Sequence, residues 1–192
     1  PLNTPIKTLD LPVAGRGYSG QTLPLIFDFV NIANGLTVVD LTKANMKAEE
    51  NKDEDGSETV KALKKTQTLT QRITGLHPSS LGLHPAVYFY SATGRYQPTA
   101  FLAMASLITD LEKEERFSRF TKLRARFEDF LLNHKNFINQ ITTKFGSGAK
   151  GFSQVKALYS LLLDSLDDNI PEDKIVGTLK GHNELPPVSR TH

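Results

Sequence analysis

At 192 residues, 39% of them hydrophobic, the chain is long enough to form one domain with a sizeable core and needs no staple to hold it. It contains no cysteine, which excludes disulfides, thiolate zinc sites and a cysteine nucleophile, and makes a reducing, cytoplasmic setting the expectation. A net charge of +2 is too balanced for an overall nucleic-acid footprint, and no apolar run approaches the roughly 18 residues of a membrane span.

Residues 1–20 carry Pro1, Pro5, Pro12, Gly15, Gly17 and Gly20, and read as an extended arm with at most a short strand at Thr8–Val13. The start PLNTPIKTLDLP has neither an initiator Met nor the charged-then-apolar order of a signal peptide, so a processed chain or a piece of a larger protein is expected. After Ser19 the apolar residues Leu23, Ile26, Phe27, Val30 and either Ile32 or Ala33 follow helical spacing up to a stop at Gly35. Leu36–Val39 is too short for a sheet without a partner and reads as a connector. A short helix TKANMKAEE then runs into an acidic stretch, and a mobile loop is expected near 47–57.

Ser57 is the expected N-cap of a peripheral helix with a thin stripe of Val60, Leu63, Lys64, Gln67, Thr70 and Ile73, ended by Gly75. The aromatic run AVYFYS is read as a helical turn, because no second strand is available to pair with it. Pro98 suits the first turn of the most apolar helix, where Phe101, Leu102, Met104, Ala105, Leu107, Ile108 and Leu111 form a wide buried face. From Phe117 to Phe145 apolar residues recur at three and four, which predicts one long amphipathic helix. GSGAKG at 146–151 stops it; Val155, Leu158, Tyr159, Leu162, Leu163 and Leu166 mark the next helix, and Pro171 opens a last one, EDKIVGTLKG. The fold class expected is all-α, an irregular bundle of about five to seven helices with an extended N-terminal arm, residues 21–181 forming a single domain and 182–192 a tail.

Chemistry is sparse. AGRGYSGQTLPLIFDFV at 14–30 and ATGRYQPTAFLAMASLI at 92–108 share a Gly-Arg, a Tyr and a proline-containing helix start. Arg16 and Arg95 could therefore form anion sites beside free helical N–H groups, or Tyr18 and Tyr96 could simply staple two similar turns to the core. Arg72 and His77 have the arginine, four-residue gap, histidine spacing of the all-α HEPN ribonucleases, in which the arginine would stabilise phosphate charge while the histidine moves a proton. Against that, Ile73 stands where the family prefers a polar residue, and Gly75 interrupts the helix within the motif. The five histidines lack metal-ligand spacing, GSGAKG lacks the phosphate-loop pattern, and no cofactor is called for.

Charge is distributed unevenly. Residues 49–58, EENKDEDGSE, hold six acids and one lysine, whereas 116–126, RFSRFTKLRAR, hold five bases and no acid. With Phe117, Phe120, Leu123 and Phe127 turned to the core, Arg116, Arg119, Lys122 and Arg126 would project outward, where they could follow a phosphate backbone. The alternative is a solvated face paired with Glu112, Glu114, Glu115, Glu128 and Asp129.

Three stretches, Tyr18–Gly35, Leu81–Met104 and Arg126–Ile141, resemble the helical region that follows the catalytic domain in GmrSD-type, ParB-like bacterial restriction and phage-defence proteins. The catalytic domain of that family carries an Asp-Gly-Gln-x-Arg-type motif, and this chain offers Asp55-Gly56-Ser57-Glu58 instead. The resemblance implies a non-catalytic accessory domain of a larger DNA-targeting protein, contributing nucleic-acid contact, docking of a protein partner or a preceding domain, or autoinhibition. A stand-alone HEPN-type ribonuclease and an interaction bundle unrelated to nucleic acid are the alternatives.

Overall fold

Pro98 occupies the first position of the helix around which the chain packs, where its missing N–H costs no hydrogen bond. In the computed structural model, which describes residues 22–36, 38, 53–182 and 185, this helix is the fourth of eight α-helices. In chain order they are α1 (Thr22–Ala33), α2 (Ser57–Thr74), the single turn α3 (Pro85–Tyr88), α4 (Pro98–Lys113), α5 (Phe117–Asn133), α6 (Asn136–Phe145), α7 (Phe152–Asp167) and α8 (Glu172–Gly181). A 3₁₀ turn, Gly148–Gly151, leads into α7. Among the described residues there is no strand, only an isolated antiparallel bridge between Tyr90 and Tyr96, so the all-α irregular bundle holds. The expected arm, its Thr8–Val13 strand, the 42–50 helix and most of the tail lie outside the described residues.

Every residue of α4 from Thr99 to Ile108 is buried, so the helix has no solvent face along that length. It lies between α1 and α7, α5 packs on α7, and α2 lies against α1. The ten side chains Phe101, Leu102, Ala105, Ile108, Phe127, Phe130, Leu131, Leu158, Leu162 and Leu163 all belong to one buried cluster. Aromatic rings join its parts: Phe101 meets Phe29 of α1 at 5.0 Å and Phe89 at 5.3 Å, while Phe127 of α5 meets Phe120, Tyr88 and Tyr159.

Three helices end in the same way. At the ends of α1, α4 and α7 a residue with positive φ, respectively Gly35, Glu115 and Asn169, lets the next N–H turn back. Leu36 N donates to Asn31 O, Arg116 N to Leu111 O and Ile170 N to Ser165 O, satisfying carbonyls that the helix itself leaves open. Glycine suits this conformation at position 35 and asparagine tolerates it at 169, whereas Glu115, at φ 57°, carries a side chain where L-residues are strained.

The structure corrects several expectations. The long helix from Phe117 to Phe145 is two helices, which raises the number among the described residues to eight. No Gly or Pro marks the break at His134–Lys135. Its cause is tertiary: the Lys135 ammonium donates to the carbonyl oxygens of Ala86, Val87 and Tyr90 at the end of α3, while His134 lies against the Phe130 and Phe137 rings at 4.5 and 5.6 Å. Three bonds to a half-buried cation outweigh continuation of the ladder across two residues. In α1 the buried stripe is Leu25, Phe29 and Ile32, not Leu23 and Phe27, which are exposed. The sequence TLPLIFDFVNIA is apolar nearly all round, so spacing could not choose the face. In α2 the buried residues are Leu69 and Ile73, with Ala62 and Thr66 half-buried on the same side, whereas Val60, Leu63, Lys64 and Gln67 are exposed. Ser57 begins α2 and does not cap it. The Asp53 carboxylate takes the N–H groups of Glu58 and Thr59 at 3.2 and 2.8 Å, and Asp55 takes that of Ser57 at 3.0 Å, so residues 53–57 of the acidic stretch form the cap of α2.

Candidate functional site

The basic run lies on α5, and most of its charge is committed within the molecule. Arg119 is sequestered against α7, bonded to Asp164 at 2.9 Å and Asp167 at 2.6 Å. Arg126 places Nη1 3.0 Å from both the Leu166 carbonyl and Asn169 Oδ1, at the negative end of α7. Arg124 bonds Glu128 at 2.7 Å and the Leu81 carbonyl at 2.5 Å, and Tyr88 donates its hydroxyl proton to the same Glu128 carboxylate at 2.8 Å. Burial, and then the bond to Glu128, push the Tyr88 phenol far above its ordinary range, so it stays a donor. Arg116 pairs with Glu114 at 2.7 Å on the surface, and Lys122 is exposed without an ion pair among the described residues. Of the four residues Arg116, Arg119, Lys122 and Arg126, two form a clamp on the last turn of α7. The acids that answer the run are therefore Asp164 and Asp167 for Arg119, and the nearer Glu114 and Glu128 for Arg116 and Arg124. The sequence signal for Asp164 and Asp167 is DSLDD at 164–168, which has the helical spacing to face a basic neighbour.

Arg95 stands on the exposed tip of a tight turn, where Ser91 N donates to Arg95 O and Arg95 N to Ser91 Oγ. The turn is stapled below by the Tyr90–Tyr96 ring pair at 5.8 Å and by Gln97, whose amide donates to Asn139 at 2.7 Å. Tyr96 thus has the stapling role. Arg16 lies outside the described residues, so the two Gly-Arg turns cannot be compared in space.

Arg72 and His77 both line an open cleft of about 470 Å³ beside the end of α2. They reach it from different elements, because α2 stops at Thr74 and Gly75 N closes on Gln71 O. The Arg72 guanidinium donates to Glu112 at 2.5 Å and to the Ser79 carbonyl, and lies over the Phe117 ring at 5.1 Å. His77 Nδ1 accepts the Ser79 N–H at 3.2 Å and sits 2.7 Å from Ser79 Oγ, which assigns the proton of the neutral ring to Nε2. The arginine therefore braces the 75–83 loop against α4 and α5. Among the described residues no group of three His, Asp or Glu side chains is placed to hold a metal.

Spacing alone had turned one further feature inward. On α1, Leu23 and Phe27 are 59% and 58% exposed; on α2, Val60 and Leu63 are 51% and 54% exposed. Each helix thus buries one row against the core and presents a second apolar pair to water, four large side chains on adjoining helices. Asn34 links the two helices, its amide donating to Ala62 O at 3.2 Å. Compared with models of known protein families, with characterised proteins and with solved structures, the chain has no significant match.

Proposed function

We propose that this chain is a non-catalytic helical accessory domain that docks a protein partner through the outer faces of α1 and α2. The observation that carries this reading is the second apolar pair on each of those helices, Leu23 with Phe27 and Val60 with Leu63, more than half exposed beside a complete core. The commitment of Arg119 and Arg126 to α7 favours docking over contact with a phosphate backbone along α5. The resemblance of three stretches of the chain suggests the setting, a larger DNA-targeting defence protein of bacteria. Among the described residues no helix is long and apolar enough to cross a membrane.

The test is photo-crosslinking from position 27 in the cells that make the protein, with position 95 as the control. A protein captured from position 27 is then remade in pure form and its binding measured by calorimetry. Binding that is lost in Phe27→Glu, with helical content unchanged, supports the proposal. A gel shift in which DNA binds at low salt and is released at high salt, with no protein captured, overturns it in favour of phosphate contact.

A further inference from the structure

We infer that the outer face of α2 takes an acidic amphipathic segment, a proposal that rests on the docking reading and names the chemistry of the partner. At 100° per residue, Val60 and Leu63 share one row of α2 with Gln67, while Lys61, Lys64, Lys65 and Thr68 lie along the neighbouring one. All seven side chains are exposed. A shallow hollow of about 360 Å³ lies on this face between Ser57, Val60, Lys61, Lys64, Lys65 and Thr68, all of α2 itself. Charge on the lysine row is hardly balanced. Glu58 lies 3.7 Å from Lys61, and neither Lys64 nor Lys65 has an ion pair among the described residues. An apolar row beside a cationic row matches a helix that has leucine-type side chains on one stripe and carboxylates on the next, the two helices meeting side by side.

Two other occupants fit less well. Nucleic acid would answer the lysine row and not the apolar one: phosphate contact leaves Val60 and Leu63 in water, and α2 has no aromatic side chain on which a base could stack. A lipid surface requires a broad apolar face to sink below the headgroups, whereas the inward row of α2 is already spent on the core and two side chains remain.

The test uses the full chain and a labelled synthetic peptide with leucines at helical spacing and glutamates on the flanking positions, followed by fluorescence anisotropy at two salt concentrations. A scrambled peptide, a counterpart with lysine for glutamate, vesicles of phosphatidylcholine with phosphatidylserine, and duplex DNA are measured beside it. The acidic peptide should bind, weaken as salt rises, and lose about tenfold or more in affinity in both Lys64→Glu/Lys65→Glu and Leu63→Asp, with circular dichroism unchanged. Equal binding of the lysine counterpart, preferential binding of vesicles or DNA, or no binding of the acidic peptide overturns the inference. If that happens while crosslinking at position 27 still yields a protein, the docking reading stands and the acidic partner falls. If crosslinking also fails, both fall.

Discussion

Phe127 and Leu132 lie five residues apart on α5, and the cost of removing each is set by its surroundings. Phe127 is fully buried among Tyr88, Phe120 and Tyr159, whereas half of Leu132 faces water. Phe127→Ala should lose about 3–5 kcal/mol in urea unfolding, and Leu132→Ala less than about 0.5 kcal/mol. Comparable losses in the two variants would contradict the placement of α5. Glu115 offers a change of the opposite sign. Its φ of 57° strains a side chain that makes none of the hydrogen bonds of the turn; these come from the backbone. Glu115→Gly should stabilise by about 0.5–1 kcal/mol, the relief of strain exceeding the added freedom of the unfolded chain. A loss of stability in the same measurement would mean that the carboxylate has a contact worth more than the strain.

Among the elements, α2 depends most visibly on charge at its start. Hydrogen bonds from the Thr59 hydroxyl and N–H hold the Asp53 carboxyl below its ordinary value, and the Ser57 N–H does the same for Asp55. A carboxylate with a lowered pKa contributes stability that is complete above its unfolded value of about 3.9 and disappears as pH falls through the lower folded value. The first turn of α2 should therefore fray in acid before the core does. Amide signals of Glu58 and Thr59 should lose their hydrogen-exchange protection on titration below pH about 4, and Asp53→Ala should show the same loss at neutral pH. Protection that persists in both would mean that backbone geometry alone holds the turn. α1 carries a charge of the opposite tendency, since burial raises the Asp28 carboxyl above its ordinary range. Ionising it costs the fold something as pH rises, so the two helices respond to pH in opposite senses.

At the scale of the whole molecule, the fastening of α5 to α7 unites charge and packing. Arg119 bridges two carboxylates of α7, and Arg126 donates to the Leu166 carbonyl together with the Asn169 side chain. Replacing both arginines by alanine leaves Asp164 and Asp167 without their cation and removes the arginine donor from the end of α7, where the backbone donors remain. The expected loss is about 2 kcal/mol, near the middle of what charged hydrogen bonds and partly exposed pairs contribute, or about 4–8 °C in melting temperature for a chain of this length. Lys122→Ala should change stability by less than about 0.5 kcal/mol. An unaltered melting temperature in the double variant would release these arginines for an external ligand.

The sequence by itself determined the all-α class, the core of α4, α5 and α7, and the ends of most helices, because three-and-four spacing, Pro98, Gly75 and GSGAKG act within one or two turns of chain. Phe101, Leu102, Ala105 and Ile108 of α4, Phe127 of α5 and Leu158, Leu162 and Leu163 of α7 are buried as expected, because apolar side chains recur at three and four along those helices. Only the tertiary structure decided what depends on residues far apart. It chose the buried row of α1, where apolar residues offered two faces, and that of α2, where Leu69 and Ile73 entered the core and Val60 and Leu63 were left outside. It divided the helix at Lys135, whose partners lie nearly fifty residues away. It also took Arg119 of the basic run to Asp164 and Asp167, while Arg116 and Arg124 kept the nearer Glu114 and Glu128, since a distant ion pair is selected by which faces pack.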